Sequence, residues 1–430
     1  MYRETKNSLL NIIQSINVFL WSGPLLMLLL GNHIVMTIKT GFVQKNVFKG
    51  IRLSVAGENS FRMLATTLAA TLGTGNIIGM STAIALGGPG AMFWCLITGI
   101  LGMATTYYEC YLGSLYRTRQ GGGPMYILKN KMGKKGLAYS YAVCILLVCM
   151  STGCLTQSNA VAETFLQTFH LNKMIIGFVV ALITGFVVIG GKTSIVKVCT
   201  GMVPVMCIIF LIGCLYLLIK NMSYIPGSIM LIVKSAFNIE SVGGGIAGGT
   251  MSLAVRYGIA RGLFTNEAGL GSAAVFAASG EQEPVNQGLV SMTATFWDTV
   301  VICTITGLVI VSSYLANPGF ADGVSVGGLM NAAFCEIPIV GAPLLAVAIA
   351  GFAVSTIIGW FFIGEQAAGF LFGDKYEQVI PFIRLIYILM VFFGSVFSLN
   401  MIWETADILN VFLIIPNVYM LVKCIFNDKT

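Results

Sequence analysis

Charge is what this sequence has least of. Asp, Glu, Lys and Arg make up 10% of its 430 residues, against about a quarter in soluble domains. With 57% hydrophobic residues and a mean hydropathy of +0.87, it is expected to be an all-α polytopic membrane protein rather than a soluble globule. Histidine is nearly absent, at two residues, and no C-x-x-C pair occurs, which argues against a zinc or haem site. The eleven cysteines are odd in number and lie mostly in apolar stretches. Cys335 is the exception, in a predicted loop, so no disulfide framework is expected. Neither His33 nor His170 reads as a deep residue beside a Ser or Cys, so an intramembrane enzyme lacks its nucleophile–base pair. A pore loop, as a channel would carry, is not repeated along the chain. Basic residues do not cluster with aromatics, so the net charge of +7 is no nucleic-acid footprint.

What the sequence does have is length in apolar runs, for example 18–35, 139–155, 174–189 and 202–219. Each is near the roughly 20 residues that cross a bilayer. Eleven spans are predicted, near 16–38, 62–85, 90–116, 138–165, 174–190, 196–219, 244–279, 287–314, 341–371, 380–399 and 403–425. The first follows a polar stretch and ends without a small-residue cleavage site, so it reads as a retained helix. No linker interrupts residues 1–430, and the longest loops, 39–61 and 315–340, are too short to fold alone. One transmembrane domain is expected.

Lys and Arg set the orientation. Lys39, Lys45, Lys49, Arg52, Arg62, Arg117, Arg119, Lys129, Lys131, Lys134, Lys135, Lys192, Lys197, Lys375, Arg384, Lys423 and Lys429 fall on one side, seventeen in all. Arg3, Lys6, Lys173, Lys220 and Lys234 fall on the other, five in all. The N-terminus is therefore expected outside the cell membrane and the C-terminus in the cytoplasm, which an odd number of spans also requires.

Span two contains "TLGTGNIIG" at 71–79. Gly73, Gly75 and Gly79 would let it unwind near the midplane, where irregular backbone survives only inside protein or beside a cavity. The amides of Thr74, Gly75 and Asn76 would then open a second half-helix whose positive end suits a carboxylate. The carbonyls before them, near Ala69 and Leu72, suit a cation. Spacing alone leaves a second reading open, since "GNIIG" is also a helix-packing GxxxG. Span seven is irregular too: "GGGIAGGTMSLAVRYGIARGLFTNEAGLGSAA" holds Arg256, Arg261, Asn266 and Glu267 among its glycines. With span one set aside, the two irregular spans open two sets of five, the pattern that points to a secondary-transporter site.

These stretches resemble the alanine/glycine:cation symporter family from end to end. The resemblance rests on "ATLGTGNIIG" (70–79), "GGPGAMFW" (87–94), "GGPMY" (122–126), "YGIARGLFTNEAGLGSA" (257–273), "QGLV" (287–290), "VSTIIGW" (354–360), "ADILN" (406–410) and "PN" (416–417). One departure is local: the family's usual Met-Trp after "FW" is Cys95-Leu96 here. The resemblance implies a LeuT-type inverted five-plus-five repeat with one extra N-terminal helix. Residues 1–61 would hold the extra helix and its connection, 62–220 the first repeat and 221–430 the second. It also implies uptake of a small neutral amino acid, alanine or glycine, with Na⁺. The alternative is coupling to H⁺, carrying the same or another small amino acid such as serine or glutamine. No organic cofactor and no obligate protein partner are expected.

A zwitterion in a membrane needs both charges met. Carboxylate binding is assigned to the amides of Thr74, Gly75 and Asn76. The ammonium is assigned to Gln157, which resembles the family's substrate glutamine, to Thr356, and to carbonyls near Gly258 and Ile259. Ile259, Leu263 and Trp360 would be the walls. By the same resemblance, Na⁺ would sit between the Ser355 and Thr356 hydroxyls and the carbonyls of Ala69 and Leu72. Four further acids, Glu109, Glu267, Asp298 and Asp407, fall in apolar segments and are functional candidates by their cost in lipid. Asp298 is expected to pair with Arg256 or Arg261, and a proton-coupling role for it stays open.

Overall fold

Helix satisfies its backbone groups within its own segment, and most of the described chain is helical. The computed structural model describes residues 15–17, 19–21, 23–238, 249–397 and 399–427, with residues 318 and 399–407 described by backbone alone. No strand occurs among the described residues. The first glycines of span seven and the side chain of Asp407 lie outside this set.

The predicted spans appear as helices. Span one covers Pro24–Lys39, span three Gly90–Leu115, span five Lys173–Ile189 and span six Gly191–Lys220. Spans nine, ten and eleven are Gly341–Phe372, Tyr376–Val396 and Leu399–Asn427. Span four joins Lys135–Met150 to Thr156–Phe169 through a π-helical turn at Ser151–Leu155. Span eight joins Pro284–Thr295 to Thr304–Ala316 through another at Phe296–Cys303. π-turns are rare and recur at functional sites. Here one precedes Gln157 and the other contains Asp298.

Spans two and seven are broken. Span two runs Glu58–Thr71, turns through Thr74–Asn76 and resumes as Ile78–Gly87, and its halves differ in direction by 63°. Span seven runs Met251–Asn266, stops, and resumes as the short Ser272–Ala277. Its stop uses left-handed backbone at Glu267 (φ 56°), Gly269 (φ 99°) and Gly271 (φ 83°).

The connections are more structured than expected. Residues 39–61 contain the helix Val47–Ala56, and residues 315–340 contain Leu329–Cys335. Val47–Ala56 buries Val47, Gly50 and Ser54 and exposes Phe48 and Val55, as a helix lying along the protein surface does. All eleven cysteines are free, and most are buried in the helices.

Candidate functional site

Span two breaks because its amides are diverted. In an unbroken helix the amide of Gly73 would close on the carbonyl of Ala69. It meets Thr71 O (2.9 Å) and Asn76 Oδ1 (3.2 Å) instead. The amide of Asn76 likewise turns to Gly73 O (3.4 Å) rather than to Leu72. The carbonyls of Ala69 and Leu72 thereby lose their helical donors, inside protein, at the place the glycine spacing predicts.

Other spans close around this break. The Thr356 hydroxyl of span nine lies 3.3 Å from Leu72 O and 2.9 Å from its own Phe352 O, and its one proton serves either carbonyl. Span nine comes this near because Gly359 has no side chain: a Cβ there would stand 2.8 Å from Ala70 N. Gln157 of span four accepts the Thr74 amide (3.2 Å) and the Thr74 hydroxyl (3.0 Å) on one oxygen. A Cβ on Gly73 would meet Thr356 Oγ1 at 2.9 Å and Gln157 Oε1 at 3.2 Å. Thr74, Gln157 and Thr356 thus converge on one buried point.

Ser355 does not join them. Its hydroxyl donates to Phe352 O (2.9 Å) and faces Met206 Sδ of span six (3.4 Å). Successive helix positions point about 100° apart, so the two hydroxyls face different neighbours. The carbonyls near Gly258 and Ile259 are not freed either, because helix Met251–Asn266 runs unbroken past them. Ile259 and Leu263 are buried on that helix. Trp360 is buried as well and lies over Gly153 in the π-turn of span four, where a Cβ would stand 2.6 Å from Trp360 Cβ. Its indole donates to Glu267 Oε1 at 3.0 Å, at the second break.

Asp298 has other partners than the predicted arginines. Asn76 Nδ2 donates to its Oδ1 at 2.7 Å and Thr299 Oγ1 to its Oδ2 at 2.6 Å. Asn76 therefore works with both ends of its side chain, holding Gly73 with one and Asp298 with the other. Arg256 and Arg261 lie instead over the rings of Tyr257 and Phe264. His33 is buried, with ring Nδ1 2.8 Å from the Thr105 hydroxyl.

Two cavities approach the centre from opposite ends. One of about 790 Å³ lies on the side of the 39–61 connection and reaches Phe362 and Gln366 of span nine. The other, about 660 Å³, reaches Ile77, Ile78, Gly79 and Ile349. At about 1.5 Å per residue, Thr356 lies about 10 Å along span nine from either cavity's lining.

A buried polar point at a helix break, midway between two opposed cavities, defines a secondary transporter built on discontinuous helices. Comparison with known proteins agrees. MhsT, solved with L-phenylalanine, superposes with a TM-score of 0.60 at 14% identity, over 84% of this chain and 88% of its own, which gives the LeuT-type fold. The sodium/alanine symporter AgcS of Methanococcus maripaludis is 38% identical over 95% of this chain and 93% of its own length. The probable sodium/glutamine symporter GlnT of Bacillus subtilis is 32% identical over 97% and 89%. The sodium:alanine symporter family matches residues 6–427. The chain belongs to that family. It is a multi-pass membrane transporter for sodium-coupled symport of amino acids, not an enzyme.

Proposed function

We propose that the protein imports a small neutral amino acid, alanine or glycine, along the sodium gradient across the cell membrane. Its N-terminus would face outward, and residues 62–220 and 221–430 would form the two repeats. One observation carries this reading: Thr74, Gln157, Thr356 and the freed Leu72 carbonyl share a buried point beside Gly73.

Gln157 Oε1 accepts two donors from Thr74. A substrate carboxylate at the start of the second half-helix would take over those donors, with the amides of Gly75 and Asn76 next to it. The displaced Gln157 oxygen and Thr356 then supply acceptors for the ammonium. Sodium is an oxygen-seeking, uncharged-cage cation here. The carbonyls of Ala69 and Leu72 with the Thr356 hydroxyl would hold it, and Ser355 would join only after rotating away from Met206.

The test is uptake of labelled alanine into proteoliposomes under an imposed sodium gradient. Accumulation above the outside concentration is expected, with loss when choline replaces sodium. Thr356→Ala should raise the sodium needed for half-maximal uptake by roughly tenfold, the worth of one hydroxyl ligand at about 1–1.5 kcal/mol. Sodium-independent uptake by the parent protein would sink the reading. The likeness to GlnT favours glutamine as the second reading, so competition by glycine, alanine, serine and glutamine decides the cargo.

A further inference from the structure

Asp298, Glu267 and Glu109 are all buried, yet their oxygens are not met in the same way. Each oxygen of Asp298 takes a donor, from Asn76 and Thr299. Each oxygen of Glu267 does too, from Trp360 (3.0 Å) and Ser272 (2.5 Å). Both groups are bonded as ionised carboxylates are. Glu109 differs. Its Oε1 takes two donors, the Gly269 amide at 3.0 Å and Asn417 Nδ2 at 2.6 Å. The Gly271 amide also faces this carboxyl group, but Oε2 has no partner at hydrogen-bond geometry among the described residues, and neither has Asn417 Oδ1.

Two hydrogen-bonded partners thus each keep one bare oxygen in a site with no exposed surface. Two acceptors cannot satisfy each other, and a buried oxygen left without a donor is destabilising. A proton on Glu109 Oε2 would turn that oxygen into a donor, and Asn417 Oδ1, on the side chain already bonded to Oε1, is the bare acceptor it could serve. No Lys, Arg or His forms an ion pair with Glu109 among the described residues. The groups around it add no positive charge. Span seven presents the Glu267 carboxylate, span four presents Tyr141, whose hydroxyl donates to Leu270 O (2.6 Å), and span three itself presents Cys110. His33 of span one touches Thr105, one turn along span three. A second negative charge beside Glu267 would be uncompensated.

We propose that Glu109 is a proton-binding site: its Oε2 carries a proton donated to Asn417, and the pair latches the break of span seven to spans three and eleven. Asn417 Nδ2 also holds Gly269 O at 2.9 Å, so the same two side chains grip Gly269 by its amide and its carbonyl. Loss of the proton to water would set a carboxylate oxygen against the Asn417 oxygen and weaken that grip. Glu109 is a positioning residue, and the latch operates whichever amino acid is carried.

Glutamine is the diagnostic replacement, because its NH₂ can donate to Asn417 Oδ1 where the acid's O–H does, while its oxygen still accepts from Gly269. Purified Glu109→Gln is expected to melt near the parent and bind alanine like it, with uptake that no longer varies with pH through this group. Glu109→Ala should melt clearly lower and lose uptake by roughly tenfold or more, from the unpaired Gly269 and Asn417 donors. Infrared spectra of the parent at neutral pH should show a carboxylic-acid C=O band that shifts in D₂O and is missing from Glu109→Gln. A Gln variant that melts as low as the Ala variant, or fails to fold, overturns the proposal. So does an infrared difference between parent and Glu109→Gln that contains no protonated-acid band, a readout that does not depend on transport.

Discussion

Gly73→Val should abolish measurable alanine binding in a protein that still inserts and folds. The first atom added at this position would stand 2.9 Å from Thr356 Oγ1 and 3.2 Å from Gln157 Oε1, both proposed to meet the substrate. Backbone strain is not the cause, since Gly73 has φ −117°, which any residue adopts. The effect is occupancy: the branched side chain fills the space beside the freed backbone groups. Overpacking a filled site costs about 1–3 kcal/mol, or roughly a factor of 5 to 150 in affinity, before the displaced hydrogen bonds are counted. Gly75 is the control. A Cβ there would meet Thr265 Cγ2 at 3.0 Å and Phe264 Cδ1 at 3.1 Å on span seven, so Gly75→Val presses on a neighbouring helix first. Equilibrium binding of labelled alanine to both purified variants, each checked for monodispersity, tells them apart. Ordinary binding by Gly73→Val would move the substrate away from the first break.

That break was legible in the sequence because its cause is local. Glycines at 73, 75 and 79 weaken a helix whatever packs against it, and an amide at Asn76 offers a competing acceptor within three residues. The second break was legible as a region, from the glycines and polar residues of span seven, but its position was not. The carbonyls near Gly258 stay within the helix, whereas the chain turns at Glu267–Gly271, where partners from other spans hold it. The partners themselves were out of reach. Asn76 and Asp298 are 222 residues apart and Glu109 and Asn417 are 308 apart, so no spacing rule links them. An arginine of the neighbouring span seven was the obvious partner for a buried acid, yet the protein satisfies Asp298 with an amide and a hydroxyl. The Ser355–Thr356 pair shows how orientation escapes spacing. Adjacent hydroxyls read as one cage in a line of letters, but a helix turns them to different neighbours. The surface helix Val47–Ala56 was within reach, since its Lys, Arg and apolar residues alternate on a helical period.

Trp360→Ala should weaken alanine binding and widen the range of amino acids admitted, and its effect should exceed that of any other wall residue. Trp360 lies one turn after Thr356, and residues four apart share a helix face. If Thr356 meets the ammonium, the indole stands beside the substrate's side chain. The same ring fills the hollow over Gly153 and donates to Glu267, so it joins the π-turn of span four to the second break. Truncation therefore removes three things together: a wall, the packing between spans four and nine, and one of the two donors to a buried carboxylate. A Trp→Ala cavity costs about 3–5 kcal/mol and a lost donor to a buried charged group about 1.5–3 kcal/mol, enough to lower the melting temperature visibly. Stability alone does not separate a wall from a strut. The ranking of competitors does. Against labelled alanine, the parent should favour glycine and alanine over valine and leucine, because one methylene in an apolar pocket shifts affinity by about 1–3 kcal/mol. In Trp360→Ala the larger members should gain on alanine. Trp360→Phe isolates the hydrogen bond, keeping most of the wall while leaving Glu267 one donor short, and should keep the parent ranking at reduced stability. If Trp360→Ala shows the parent ranking as well, the indole is a strut between spans four, seven and nine, and the size limit falls to the other proposed walls, Ile259 and Leu263 of span seven.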